Sequence, residues 1–131
     1  MSDYTYDAVV KSVHDGDTIT VDMDLGLDMT LRNFKIRLFG INCPELVTPE
    51  GKKAQAFLAQ IIPVGTAIVV ETVKDKQEKY GRYLGKLYKA VQGSPTLALP
   101  PIRQDGTVSL NELLVQNGFA KPYFGVGQKP T

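Results

Sequence analysis

Apolar and polar residues alternate with a period of two through the first part of the chain. Ile19, Val21, Met23 and Leu25 interleave with Thr20, Asp22 and Asp24, the pattern of a half-buried strand with an acidic outer face. Tyr6 to Val13, carrying Val9-Val10, forms an earlier strand, and Asp15-Gly16 marks the bend between the two. Gly26-Leu27-Asp28 turns the chain into a third strand. Met29 and Leu31 continue the alternation, after which Phe34, Ile36 and Leu38 take the opposite parity. The slip at Arg32-Asn33 predicts a β-bulge, which bends and twists a strand as closure into a small barrel requires. It leaves Arg37 on the face opposite Ile36 and Leu38, outside the core.

The middle of the chain switches to a helical period. Thr48-Pro49-Glu50 reads as a helix start: a hydroxyl cap, proline at the first helical position and a carboxylate near the positive dipole end. Ala54, Phe57, Leu58, Ile61 and Ile62 follow on one stripe until Pro63-Val64-Gly65. Ala67 to Val73 predicts a short β-branched strand. Arg82 to Ala90 predicts another, with Gly85 and Leu87 on one face and Arg82, Leu84 and Tyr88 on the other. Ser109-Leu110-Asn111-Glu112 is a capping box opening a second helix, which Gly118 closes. Val91 to Gly106 is a loop rich in Pro and Gly, and Gly125 to Thr131 a tail expected to fray. Five strands with a helix between the third and fourth describe a mainly β, α+β domain. The architecture is a five-stranded OB-fold Greek-key barrel with two helices, whose usual cargo is single-stranded nucleic acid.

With 131 residues the chain holds one domain, residues 1–131 with its core over 4–124, and no second. A net charge of +1 does not announce a nucleic-acid binder, but the charge is unevenly spread. Asp residues 3, 7, 15, 17, 22, 24 and 28 stand against Lys11 in the first thirty positions. From Lys74 to Lys89 the basic residues 74, 76, 79, 82, 86 and 89 outnumber Asp75 and Glu78. An acidic pole for a cation and a basic stretch for a polyanion suit one substrate, although such runs are commonly solvated surface. Cys43 is the sole cysteine, which rules out an internal disulfide. No basic segment followed by an apolar run opens the chain, and no membrane partner is expected. The expectation is an intracellular monomer unless a leader lies outside this sequence.

Candidate chemistry clusters at the strand ends. Asp17, in Asp15-Gly16-Asp17, is an oxygen donor for a hard cation, although Asp-Gly-Asp alone is commonly a turn. Asn42, Cys43 and Glu45 follow the Arg37 strand, where carboxylate, amide and backbone oxygens become available together. Cys43 reads as packed rather than catalytic, and His14, the one histidine, as a surface residue. One His and one Cys exclude a zinc site. Asp22 and Asp24 with Gly26 lack the further ligands of an EF-hand and read as a solvated face. Arg37 and Arg82 are default surface residues, yet beside a cation their guanidinium forks suit phosphate oxygens. Tyr80, Tyr83, Tyr88 and Tyr123 suit base stacking, although aromatics at strand positions are more often core.

Asp15-Gly16-Asp17-Thr18, Arg37 with Pro44-Glu45, Lys79-Tyr80-Gly81-Arg82, and Asn111-Glu112 with Gly118-Phe119-Ala120-Lys121 and Tyr123 occur in a specific order and spacing. In that order the chain resembles the thermonuclease (staphylococcal nuclease) family from about Val9 to Tyr123. The resemblance implies an OB-fold, calcium-dependent phosphodiesterase acting on DNA and RNA. By position it implies Asp17, Asn42 and the Cys43 backbone carbonyl as calcium ligands, and Glu45 as base or positioner for the attacking water. It implies Arg37 and Arg82 as the phosphate clamp, and Lys79, Tyr80 and Tyr123 as nucleotide contacts. Several departures stand out. Asn42 replaces a charged ligand, Glu78 replaces an Asp, and Val91 to Gln104 looks inserted. The long final helix of the secreted enzymes has no counterpart, and Phe124 replaces a second tyrosine. The alternative is an OB-fold nucleic-acid-binding module that is catalytically weak or inactive. A module binding only a protein partner lacks the exposed apolar stripe it would need.

Overall fold

The computed structural model describes residues 4–77, 83–93 and 96–123. Three long strands open the fold: β1 (Thr5–Asp15), β2 (Thr18–Gly26) and β3 (Met29–Leu38). After the short β4 (Ile41–Asn42) come α1 (Pro49–Ile61), β5 (Ala67–Gln77) and β6 (Tyr83–Lys89). The short β7 (Val108–Ser109), α2 (Leu110–Gln116) and β8 (Lys121–Pro122) complete it. The sheet runs β3-β2-β1-β5-β6, and β3 also pairs in parallel with β6 through Ile36↔Tyr83, Arg37↔Leu84 and Leu38↔Gly85. That last pairing closes a five-stranded mixed barrel. With α1 between the third and fourth barrel strands, it is the expected α+β OB-fold.

The expected bulge is present. Val21 faces Phe34 and Met23 faces Leu31, so Arg32 and Asn33 together oppose Asp22. Asn33 takes φ +56° and donates its backbone N–H to Asp22 Oδ1 at 3.0 Å. Asparagine tolerates the left-handed region where a β-branched residue would not. Past the bulge, Ile36 and Leu38 are fully buried, each contributing about 1.5–3 kcal/mol by leaving water. Both helix caps form as the sequence implies: Thr48 Oγ1 accepts from Gly51 N–H at 2.9 Å, and Ser109 Oγ from Glu112 N–H at 3.2 Å. Ala54, Leu58 and Ile62 seal one end of the barrel, as their stripe predicts.

Two boundaries and one burial pattern differ from expectation. β1 runs on to Asp15, because Asp15 still pairs with Thr18 across the bend. β5 extends to Gln77, which pairs with Tyr83. Met29 and Leu31, expected on a half-buried face, are 58% and 40% exposed. β1 pairs with β2 only as far as Ala8↔Met23, so the β2–β3 hairpin beyond Met23 projects past the barrel with no strand beside it. Alternation there continues as backbone geometry, but no core exists to receive it. The tail from Gly125 lies outside the described residues. No helix among the described residues is long and apolar enough to cross a membrane.

Candidate active site at the barrel mouth

The bend after β1 carries Asp17 into the barrel mouth. Gly16 makes this possible, since a Cβ there would stand 2.7 Å from Cys43 Sγ and 2.8 Å from the Ala54 Cβ. The bend therefore sits directly on the β4 exit and on α1. Leu38 N–H donates to Asp17 O at 2.8 Å and Cys43 N–H to Asp17 Oδ2 at 2.9 Å. The side chain is thus gripped by the segment that carries Arg37, Asn42 and Cys43. Asp15 caps the bend from the other side, with its Oδ1 accepting from Asp17 N–H at 3.0 Å.

Arg37 occupies the same mouth, its side chain only 12% exposed. Its Nη1 donates to Leu38 O at 2.9 Å and lies 3.5 Å from Asp17 Oδ2, while Nη2 donates to Asn42 Oδ1 at 3.1 Å. A backbone carbonyl, an amide and a carboxylate hold the guanidinium plane in one orientation. Asn42 and Cys43, expected to open their oxygens at a strand exit, are instead 7% and 4% exposed. β4 pairs with β8 through Asn42↔Lys121 and Ile41↔Pro122, and Cys43 packs its side chain under the Gly16 bend. Burial, then the charges of Asp17 and Asp15, push the Cys43 thiol up to about 12, against the opposing pull of Arg37. It is a packed, unreactive sulfur, and His14 is exposed.

Glu45 stands two residues beyond Cys43, exposed and with no ion pair among the described residues. Its main chain, by contrast, is fixed. Glu45 O accepts from Thr48 N–H at 3.0 Å and from Thr48 Oγ1 at 2.7 Å. A Cβ on Gly51 would collide with that same carbonyl. Gly51→Ala is expected to push the Glu45 segment off α1 and lower the melting temperature, overpacking of this kind costing about 1–3 kcal/mol. Cleavage should fall further than the loss of folded protein explains, which rates normalised to folded fraction would show; rates that track folded fraction alone would mean Glu45 is not held by this contact.

Tyr123 is half-buried, and its N–H donates to Gly40 O at 2.8 Å, tying the segment after α2 to the turn before Asn42. Asn111 makes the companion tie. Its Nδ2 donates to Phe39 O at 2.8 Å and Gly85 O at 3.2 Å, and its Oδ1 accepts from Leu87 N–H at 3.0 Å. The motif residues Lys79, Tyr80 and Arg82 lie outside the described residues. In the sequence Asp15-Gly16 reads as a bend and Asn111 as part of a capping box and of the family motif, while Gly51 carries no signal. Only the contacts across the mouth reveal what they position.

The oxygen donors at the mouth are Asp17, Asn42 and main-chain carbonyls, with Asp15 two residues before Asp17. Such hard oxygens suit calcium, with fewer charges than a tight site would carry. Among the described residues, no three His, Cys, Asp or Glu side chains converge in metal-binding geometry. In the cation-free molecule burial, followed by the hydrogen bond with Asp15, raises the Asp17 carboxyl to about 6. Burial also works on Asp15, but the hydrogen bonds from Asp17, the His14 charge and Thr18 outweigh it and hold Asp15 below its ordinary value. Of the two, Asp17 is the one that takes up a proton first as pH falls.

A carboxyl raised in the folded state destabilises the fold as pH climbs from its unfolded value of 3.8 through about 6. Asp17→Asn should therefore melt higher than the native chain in EDTA near neutral pH, by up to about 3 kcal/mol. The advantage should vanish toward pH 4, and calcium should no longer stabilise the variant. Equal melting at both pH values would mean that Asp17 carries no burial penalty.

The sequence model described as "Staphylococcal nuclease homologue" matches residues 35–131, more than half of the chain. The chain belongs to this family. The matched segment begins within β3 and leaves Asp17 outside, so the nuclease-homologue portion meets Asp17 through the pairing of β2 with β3 and the Cys43 bond. The chain is similar to the endonuclease YhcR of Bacillus subtilis (strain 168), 30% identical over 130 residues, which cover 91% of this chain and 9% of that protein. It is also similar to an uncharacterized 38.1 kDa protein of Capnoides sempervirens, 32% identical over 82 residues, 63% of this chain and 23% of that protein. The chain spans less than a quarter of the length of either relative.

Proposed function

We propose that residues 1–131 act as a single, monomeric domain that hydrolyses phosphodiester bonds: a calcium-dependent endonuclease of low sequence specificity, acting on single-stranded DNA or RNA. The observation that carries this reading is the anchored Arg37 fork beside Asp17 and Asn42, three residues before Glu45, in a chain of the nuclease-homologue family. Asp17, Asn42 and the Cys43 carbonyl would hold calcium, which neutralises a phosphoryl oxygen and acidifies bound water. Glu45 takes or orients the proton of the attacking water. Arg37, with Arg82, meets the phosphoryl oxygens and gains most as charge builds in the transition state. Lys79, Tyr80 and Tyr123 contact the flanking nucleotide.

The test is incubation of the chain with single-stranded DNA in calcium, in magnesium and in EDTA. Cleavage in calcium that EDTA abolishes is the expected result; cleavage that survives EDTA overturns the metal assignment. One observation favours a second reading, a binding module without turnover. Asn42 brings no negative charge and commits its amide oxygen to Arg37. Binding without cleavage at any calcium concentration would establish that reading.

A further inference from the structure

A groove of about 570 Å3 opens beside the proposed active site, on the far side of the Phe39–Ile41 turn. One wall is that turn, which lies between Arg37 and Asn42 in the chain. The other wall includes Pro101 and Arg103, from the segment that looks inserted relative to the nuclease family. The floor includes Lys86, Tyr88 and Glu112.

The inserted segment is built into the domain. Ala98 N–H donates to Asn117 Oδ1 at 3.0 Å, and Asn117 Nδ2 returns a bond to Ala98 O at 2.8 Å, so α2 holds the segment as a neighbouring strand would. Arg103 N–H donates to Thr107 O at 2.8 Å, closing a turn that positions the side chain. The Arg103 guanidinium then lies 3.8 Å from the centroid of the Tyr88 ring. The Tyr88 hydroxyl is held by Glu71 at 3.2 Å, which keeps the ring in place beneath the arginine. Lys86 Nζ stands 5.8 Å over the Phe39 ring. Neither Lys86 nor Arg103 forms an ion pair among the described residues, and the single acidic side chain lining the groove is Glu112.

Cations stationed over aromatic faces, in a groove walled by the turn that joins Arg37 to Asn42, are what a single nucleic-acid strand needs on either side of a cut. We propose that this groove is an extended subsite for single-stranded nucleic acid. Lys86 and Arg103 neutralise backbone phosphates of nucleotides beyond the scissile bond. The inserted segment is therefore a substrate-binding element. The inference rests on the nuclease reading for its direction but not for its readout, which is binding.

The experiment measures affinity, in EDTA and without turnover, for a dinucleotide and for an oligothymidylate of about ten nucleotides, a length within the span of one OB-fold. The proteins are the native chain, Lys86→Gln, Arg103→Ala and the double variant, with melting curves confirming the fold of each. In the double variant the affinity advantage of the longer ligand should shrink by about tenfold or more. The salt dependence should lose a slope of about 1.4, the share of two phosphate contacts on a single strand. If Arg103→Ala alone loosens the fold, Lys86→Gln carries the test with half that slope. An undiminished length advantage in the double variant, or no length advantage in the native chain, overturns the subsite. A chain that binds through the groove yet never cleaves leaves the subsite standing and removes the nuclease reading. Cleavage with the length advantage untouched by the variants does the reverse.

Discussion

Glu45→Gln should cut single-stranded DNA at least about two decades more slowly than the native chain, the usual loss on removing a general base. Its affinity for that DNA should be close to native. The amide preserves shape and polarity, and the main chain at this position is fixed independently of the side chain. Thr48 holds the Glu45 carbonyl by two hydrogen bonds, and Gly51 leaves the room for it on α1. A change confined to the side-chain tip therefore has little structural route by which to disturb the site. Cleavage rate and DNA affinity need to be measured at one fixed salt concentration, because phosphate contacts make affinity strongly salt-dependent. Near-native cleavage by the variant would remove Glu45 from the chemistry.

The second large effect is expected at Arg37. Arg37→Lys should lower turnover by about two to three decades, or about 3–4 kcal/mol of transition-state stabilisation. Binding should suffer much less. The structure explains why lysine is no substitute here. Nη1 reaches the Leu38 carbonyl and the Asp17 carboxylate while Nη2 reaches the Asn42 amide, so the planar fork is aimed before any phosphate arrives. A lysine ammonium carries the charge at a single nitrogen and cannot span acceptors on both sides of the mouth. It would also leave the Asn42 amide oxygen in search of a donor. Single-turnover rates compared with dissociation constants separate the two effects. Equal losses in both would make Arg37 a uniform binding contact, and no loss in either would return it to an ion-pair role.

The sequence by itself determined the local features of this protein. The parity slip at Arg32-Asn33 located the bulge, because asparagine is among the few residues that accept its positive φ. The hydroxyl caps at Thr48 and Ser109 located both helix starts, because capping is settled within four residues. The strands and α1 followed from periodicity, and the order of short motifs pointed to the family.

The tertiary structure decided everything that depended on distant segments meeting. Asp17 looked like one member of an ordinary turn. It became a buried carboxyl raised to about 6 only once β4, twenty-five residues later in the chain, folded over it. Position at a strand exit suggests exposed residues at Asn42 and Cys43, yet both are buried, Asn42 in the pairing of β4 with β8 and Cys43 against the Gly16 bend. Met29 and Leu31 kept a strand's alternation and lost its meaning, because β1 stops pairing with β2 before the hairpin ends. The groove beneath Arg103 has no local signature at all. Its walls come from the turn after β3, from β6, α2 and the segment after β6, and no periodicity records which of them become neighbours.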